Sequence, residues 1–206
     1  MLVRIVGSLL LVSATASADV AFAIQPTVGV GTAVDHVDTS VASTASSVVP
    51  HETFRMVPGL RIGADLGSWM LLAYGSNSLE GVQGHQVNGL TRAGMLFEPV
   101  VWRSDDDRVH LYLLGGGGIA AISGTTVSVD AMGTMATSFS SVGATFVAGV
   151  GGSYAVHPSF AVGLEIAVEP DVISLDSGTY IANQTIVSLT GTFVARASQP
   201  PRAADH

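Results

Sequence analysis

The charged residues of this chain keep to one parity, and that constrains its fold more than any other feature. From Phe54 to Ala64 the even positions are Phe54, Met56, Pro58, Leu60 and Ile62, and Arg55, Gly59, Arg61 and Gly63 stand between them, with Asp65 next in the odd series. From Phe160 to Val168 the series Phe160, Val162, Leu164, Ile166 and Val168 faces Gly163, Glu165 and then Glu169. A period of two means a β-strand whose faces meet different surroundings. Four further segments repeat the pattern: Val20 to Val30, Val87 to Val101, Val142 to Tyr154 and Thr185 to Ala197. In all six, no charge falls on the apolar parity. Arg55, Arg61, Asp65, Arg92, Glu98, Glu165, Glu169 and Arg196 share the other one. An apolar face that excludes every charge behaves like a surface against hydrocarbon, where a mid-membrane Arg costs ~2–4 kcal/mol.

Two less regular strands bring the expected total to eight. Trp69 to Gly75 is nearly all apolar. Val109 to Ile122 alternates and then enters Gly115 to Gly118, a run expected to bend or weaken a strand. The connections alternate in length. Long ones run from Thr32 to His51, Ser76 to Gln86, Ser123 to Ser138 and Pro170 to Asn183. Short ones are Leu66 to Ser68, Ser104 to Asp107 and Val156 to Pro158. This is the rhythm of an up-and-down barrel with tight turns at one end. Aromatic residues gather beside the short turns: Phe22, Trp69, Trp102, Tyr154, Phe160 and Phe193 form an expected interfacial girdle. Trp102 lies on the polar parity, and Pro99, which cannot donate to a ladder, marks an expected bulge that switches the parity there.

Composition narrows the setting. Only 12% of the 206 residues are charged, against ~25% in soluble domains, while 48% are hydrophobic. Met1 to Ala18 has a basic residue (Arg4), an apolar stretch from Ile5 to Val12 and a small-x-small site, Ala16-Ser17-Ala18. It reads as a cleaved export signal. The expected organisation is a signal peptide over 1–18, a barrel over 19–197 and a short tail over 198–206. No apolar run is long enough for a membrane helix, so strands are the remaining way to cross a bilayer. A net charge of −8 leaves no basic surface for nucleic acid. The absence of cysteine excludes disulfides, thiolate nucleophiles and Cys-ligated zinc.

The signal, strand number, alternation and loop asymmetry together resemble the small outer-membrane β-barrels of the OmpA/OmpX-like, porin-like class, over roughly Asp19 to Ala197. Stretches such as Gly59-Leu60-Arg61-Ile62-Gly63 and Gly149-Val150-Gly151-Gly152-Ser153-Tyr154 share its flavour. The resemblance implies an all-β, eight-stranded antiparallel transmembrane barrel in the outer membrane of a Gram-negative bacterium. One departure concerns the end of the last strand, where the class usually places an aromatic residue. Here Phe193 is followed by Val-Ala-Arg-Ala.

An eight-stranded barrel is just wide enough for side chains to fill. Arg55, Arg61, Arg92, Glu98, Glu165, Glu169 and Arg196 are therefore expected to form an interior Arg–Glu network, with Asp65 at the rim, because buried charges must pair. The function read from this is structural or surface-interacting, with a partner reached through the loop from Thr32 to His51. The alternatives are a narrow gated pore, or a soluble exported lipocalin-like barrel or β-sandwich whose apolar parity faces inward. No cofactor or metal is implied. His36, His51, His85, His110, His157 and His206 have no ligand spacing, and His36 with Asp35 and Asp38 is at most a loose cation site. The glycine run lacks the Lys-Ser/Thr of a phosphate loop. Lipid A modification would need His51 or His85 beside Ser76 or Glu52, and nothing in their spacing brings them together. The chain reads as a non-enzyme.

Overall fold

The computed structural model describes residues 20–38, 51–80, 89–130, 133–175 and 178–196, with backbone alone at several strand ends. Eight strands follow one another: β1 (Ala21–Asp38), β2 (His51–Asp65), β3 (Trp69–Glu80), β4 (Gly89–Arg103), β5 (Val109–Asp130), β6 (Gly133–His157), β7 (Phe160–Leu175) and β8 (Gly178–Arg196). Each pairs antiparallel with the next, and β8 returns to β1, so the sheet is a closed up-and-down barrel. Among the described residues there is no helix.

Closure carries a stagger. Partners traced once round the wall run from Phe22 through Ala64, Leu71, Phe97, Gly115, Ala148, Val168 and Thr185, and return to β1 at Thr32, ten residues along. With strands ~4.8 Å apart and ~3.3 Å per residue, eight strands and that stagger tilt the wall by about 40° and set its radius at about 8 Å. Such a cylinder is filled by its own inward side chains.

The alternation sorts inside from outside as the sequence predicts. Val28, Met56, Leu60, Phe97, Phe146, Leu164 and Leu189 stand on the outer wall, about half exposed or more. Arg55, Arg92, Glu98 and Glu165 are fully enclosed. This orientation excludes the lipocalin-like and sandwich alternatives, in which the apolar parity would line the core.

The expected loops and the position of the bulge need correction. The segments 123–138 and 170–183, read as loops, are mostly strand: β5 and β6 run on to Asp130 and from Gly133, and β7 and β8 to Leu175 and from Gly178. Likewise β3 continues to Glu80, and β1 continues to Asp38. Ser- and Thr-rich sequence favours loops, but β-branched and small polar residues pair well once a neighbouring strand satisfies their backbone. The parity switch before Trp102 exists, but its extra residue is Val101: Val100 pairs with Tyr112 and Trp102 with Leu111. That slip turns the indole outward, half exposed.

The glycine run is not a hinge. Gly116 and Gly118 face inward where β4 crosses so closely that a Cβ would strike the carbonyl oxygens of Met95 and Ala93, whereas Gly115 faces open space outside. Two of the four glycines are thus demanded by backbone approach.

The short turns are closed by their own side chains. Gly67 adopts φ 82°, and its N–H donates to Asp65 Oδ1 at 2.8 Å. In the acidic turn, Ser104 Oγ accepts the N–H groups of Arg108 and Val109 (3.1 and 2.9 Å) and donates to Asp106 Oδ1 at 2.6 Å. The Ser104 hydroxyl, followed by the Arg108 backbone N–H, holds the Asp106 carboxyl below its usual range. His157 Nδ1 accepts the Ser159 N–H at 3.2 Å in the third turn.

Candidate functional site: the charged interior

Alternation puts every second residue inside. Three strands place charges there six residues apart: Arg55 and Arg61 on β2, Arg92 and Glu98 on β4, and Glu165 and Asp171 on β7, where Glu169 adds a third. At the tilt above, six residues span about 15 Å along the axis, so the interior charges form two tiers.

In the tier nearer the short turns, Arg61 is the hub. Its Nη1 and Nη2 donate to Glu165 Oε1 and Oε2 at 2.8 and 2.7 Å, a two-pronged pair, and Nη1 also reaches Glu98 Oε1 at 3.0 Å. Tyr112 donates its hydroxyl to Glu165 Oε1 at 2.8 Å, and the Gln25 amide donates to Glu98 Oε2 at 3.3 Å. The planar guanidinium suits this work, because its fork matches two carboxylate oxygens at once. Gly151 makes room: a Cβ there would lie 2.5 Å from the Tyr112 ring. Among the described residues this tier holds two carboxylates and one guanidinium.

In the second tier, Arg92 is the hub. Its Nε and Nη2 donate to Asp171 at 3.0 and 2.6 Å, Nη1 donates to Ser78 Oγ at 2.7 Å, and Nε lies 3.4 Å from Glu169 Oε2. Gln184 donates its amide to Glu169 at 3.0 Å. Arg55, 1% exposed, belongs to this level by register, opposite Glu80 across β2 and β3.

Apolar layers separate the tiers. Tyr74, Leu96, Val147 and Ala167 lie between them, in one cluster with Leu72 and Ala23 nearer the short turns, and Leu90, Ala120, Ile122, Ile173 and Ala182 pack beyond the second. Excluding water from around an ion pair strengthens it, and equally raises the cost of leaving one partner alone. At the short-turn end a cavity of ≈ 120 Å³ reaches inward as far as Gln25 and Tyr112. Arg103 crosses this mouth, donating to the Gly67 carbonyl and, at 3.4 Å, to Asp107.

Of the seven residues expected in the network, the structure brings Arg61, Glu98 and Glu165 together in one tier and Arg92 and Glu169 in the other. Arg55 is buried nearby, and the Arg196 side chain lies outside the described residues. Asp65 stands at the short-turn rim, where it accepts the Gly67 N–H. Sequence reasoning missed Asp171, Gln25, Tyr112 and Gln184. Asp171 continues the parity of Glu165 and Glu169, and that signal was available past Pro170. Of the expected girdle, Phe22, Trp102, Tyr154 and Phe193 are about half exposed on the outer wall. Trp69 packs on Phe97 and Phe160 on Phe193, with ring centroids 5.4 and 4.7 Å apart.

Of the four enzymatic candidates, only Ser76 has a described side chain. Ser76 turns its hydroxyl into the barrel wall, where it is buried. The side chains of His51, Glu52 and His85 lie outside the described residues, as do those of His36, Asp35 and Asp38. Among the described residues no group of three or more His, Asp or Glu side chains is placed to hold a metal ion.

A closed eight-stranded meander with charges inside, apolar residues outside and tight turns at one end has the architecture of the small outer-membrane barrels. Neisserial surface protein A shares this fold, with a TM-score of 0.53 at 16% identity over 84% of this chain and 96% of that one. The outer membrane protein OprG of Pseudomonas aeruginosa gives 0.48 at 9% identity, over 86% and 97%. Ail, the attachment invasion locus protein of Yersinia pestis, gives 0.43 at 15%, over 82% and 98%. No protein-family model and no curated protein sequence matches the chain. Identities this low speak for the fold.

Proposed function

We propose that the chain is exported through its first eighteen residues and inserted as a barrel in the outer membrane of a Gram-negative bacterium. There it acts as a structural and surface-interacting protein rather than an enzyme. The observation that carries the membrane reading is the inverted wall. Leu189, Val142, Ile119 and Phe146 stand 62, 59, 59 and 56% exposed while Arg92 and Glu98 are at 0%. Water would penalise that outer surface, and hydrocarbon does not. Phe22, Trp69, Trp102, Tyr154, Phe160 and Phe193 then form the aromatic belt at the short-turn, periplasmic interface.

The interior network plugs the barrel. Two ion-pair tiers and the apolar layer between them occupy the cross-section, which supports a sealed lumen over a gated pore. Planar-bilayer recording tests this: purified protein should show no conductance above background, and discrete openings would establish the pore.

The surface role belongs to the far end. β5 beyond Ser123 and β6 before Gly143 pair only with each other in the described registers, so among the described residues a two-stranded ribbon leaves the barrel with no further strand paired to either edge. Its sequence has no Lys, Arg or Pro from Gly124 to Val142 and a single acid, Asp130, whereas exposed edges are ordinarily blunted with charge or proline. Such an edge suits addition of an extended segment from a partner. The loop from Thr32 to His51 stands at the same end, and residues 39–50 lie outside the described set. Membrane insertion is tested by gel mobility of the outer-membrane fraction with and without boiling. A heat-dependent shift supports the barrel, and recovery in the soluble periplasm refutes it.

A further inference from the structure

The row of outward residues on β6 runs Val142, Ala144, Phe146, Ala148, Val150 and then, past a gap, Tyr154. The gap is Gly152. Without a side chain there, the outer wall is notched: Leu111 and Leu113 of β5, Val150 of β6, and Leu164 and Ile166 of β7 surround a hollow of ≈ 340 Å³ floored by the Gly151–Gly152 backbone. A second hollow of ≈ 400 Å³ shares Gly152 and Leu164 and continues toward the short turns between Tyr154, Val162 and Leu189. The two form one apolar groove that ends at the girdle.

Charged groups wait at that end. Arg108 Nη1 donates to Tyr154 Oη at 3.5 Å, and its Nε lies 3.8 Å from Asp106 Oδ2. Both contacts are long, the side chain is 62% exposed, and a guanidinium carries five N–H donors. Asp106 stands beside it, and the same turn carries the exposed Asp105. A cation and two carboxylates at the mouth of an apolar groove match a headgroup that carries both signs.

We propose that this groove binds a phospholipid with an ammonium headgroup: an acyl chain over Gly152, the phosphate at Arg108 and Tyr154, and the ammonium against Asp105 and Asp106. A purely anionic headgroup would gain the arginine but face the carboxylates. A methylated ammonium would lack the N–H donors those carboxylates can accept. The site rests on the reading that the outer wall faces lipid.

The test is native mass spectrometry of the full barrel released from nanodiscs containing equal parts phosphatidylethanolamine, phosphatidylglycerol and phosphatidylcholine. One phosphatidylethanolamine should be retained at roughly fivefold excess over the other two, the ratio of about one well-placed exposed charge contact. Gly152→Leu should lower retention of all three several-fold. The substitution is sterically mild, since the new Cβ would meet only the flexible Leu111 Cδ2 at 3.1 Å and the His110 carbonyl oxygen at 3.7 Å. Asp105→Asn with Asp106→Asn should abolish the preference over phosphatidylcholine, and Arg108→Ala should weaken retention throughout. The heat-dependent gel shift of each variant reports that the barrel is intact. Equal retention by the wild type and Gly152→Leu, or preference for phosphatidylglycerol, overturns the site and leaves the membrane reading standing. Failure of the wild type to enter nanodiscs overturns both.

Discussion

Replacing Arg61 with leucine isolates the contribution of one interior cation. The substitution keeps an apolar stem in the lumen and removes three hydrogen bonds to carboxylates, two to Glu165 at 2.8 and 2.7 Å and one to Glu98 at 3.0 Å, with a longer one to Gln25 at 3.4 Å. Glu98 and Glu165 are 0 and 2% exposed, so neither carboxylate can turn to water. At ~1.5 kcal/mol per bond the loss is about 4–5 kcal/mol, within the range found when one partner of a buried pair is removed. Relieving the arginine of its own desolvation trims this to about 4 kcal/mol, near a thousandfold in the folding equilibrium. Reversible urea unfolding in lipid vesicles, followed by gel mobility, should then show the midpoint falling by roughly 2 M. Replacing Arg61, Glu98 and Glu165 together with leucine should recover most of the loss, since nothing charged is left unpaired. A loss below about 1 kcal/mol for the single variant, or a triple variant no more stable than the single, would refute the view that the tier is a mutually dependent unit.

The two carboxylates beside Arg61 should respond unequally: Glu165→Gln, which breaks the two-pronged pair, should cost about 2 kcal/mol, and Glu98→Gln less than about 1 kcal/mol because it relieves two carboxylates of sharing one guanidinium. Refolding yields in vesicles should separate the glycines, with Gly118→Ala impaired by collision with Ala93 and Gly115→Ala near wild type, the added methyl meeting open space. Hydrogen exchange at the Arg108 and Val109 amides should quicken in Ser104→Ala, which deletes their acceptor. In the wild type the Asp106 contribution to that turn, its carboxyl being held below the usual range, is complete above the ordinary carboxylate range and lost as pH falls through the lowered folded value. Shortening the β5–β6 ribbon by deleting residues 126–137 should abolish partner binding at the cell surface while the heat-dependent gel shift persists; binding that survives would move the surface role elsewhere.

Much of this molecule was legible before any coordinates. Parity alone separated Phe54, Met56, Leu60 and Ile62 from Arg55 and Arg61, and eight such segments with alternating connections imply a closed meander, because a period of two gives each strand two faces and a membrane tolerates no open edge. The same rule placed Arg92, Glu98, Glu165 and Glu169 inside. Asp171 was lost by stopping β7 at Pro170, as though a missing N–H must end a strand. The pattern continues through it, and Asp171 is the stronger partner of Arg92.

What parity cannot supply is which interior residues meet. Arg61 and Glu165 lie on β2 and β7, over a hundred positions apart, and their contact depends on the ten-residue stagger that brings them to one level. The same stagger separates two charged tiers, puts Tyr74, Leu96 and Val147 between them, and presses β4 onto Gly116 and Gly118. Alternation is a local property of the backbone, so the sequence by itself determined which face each residue takes. Register around a closed wall is a global property, set by all eight pairings at once, so only the tertiary structure decided which of those residues touch.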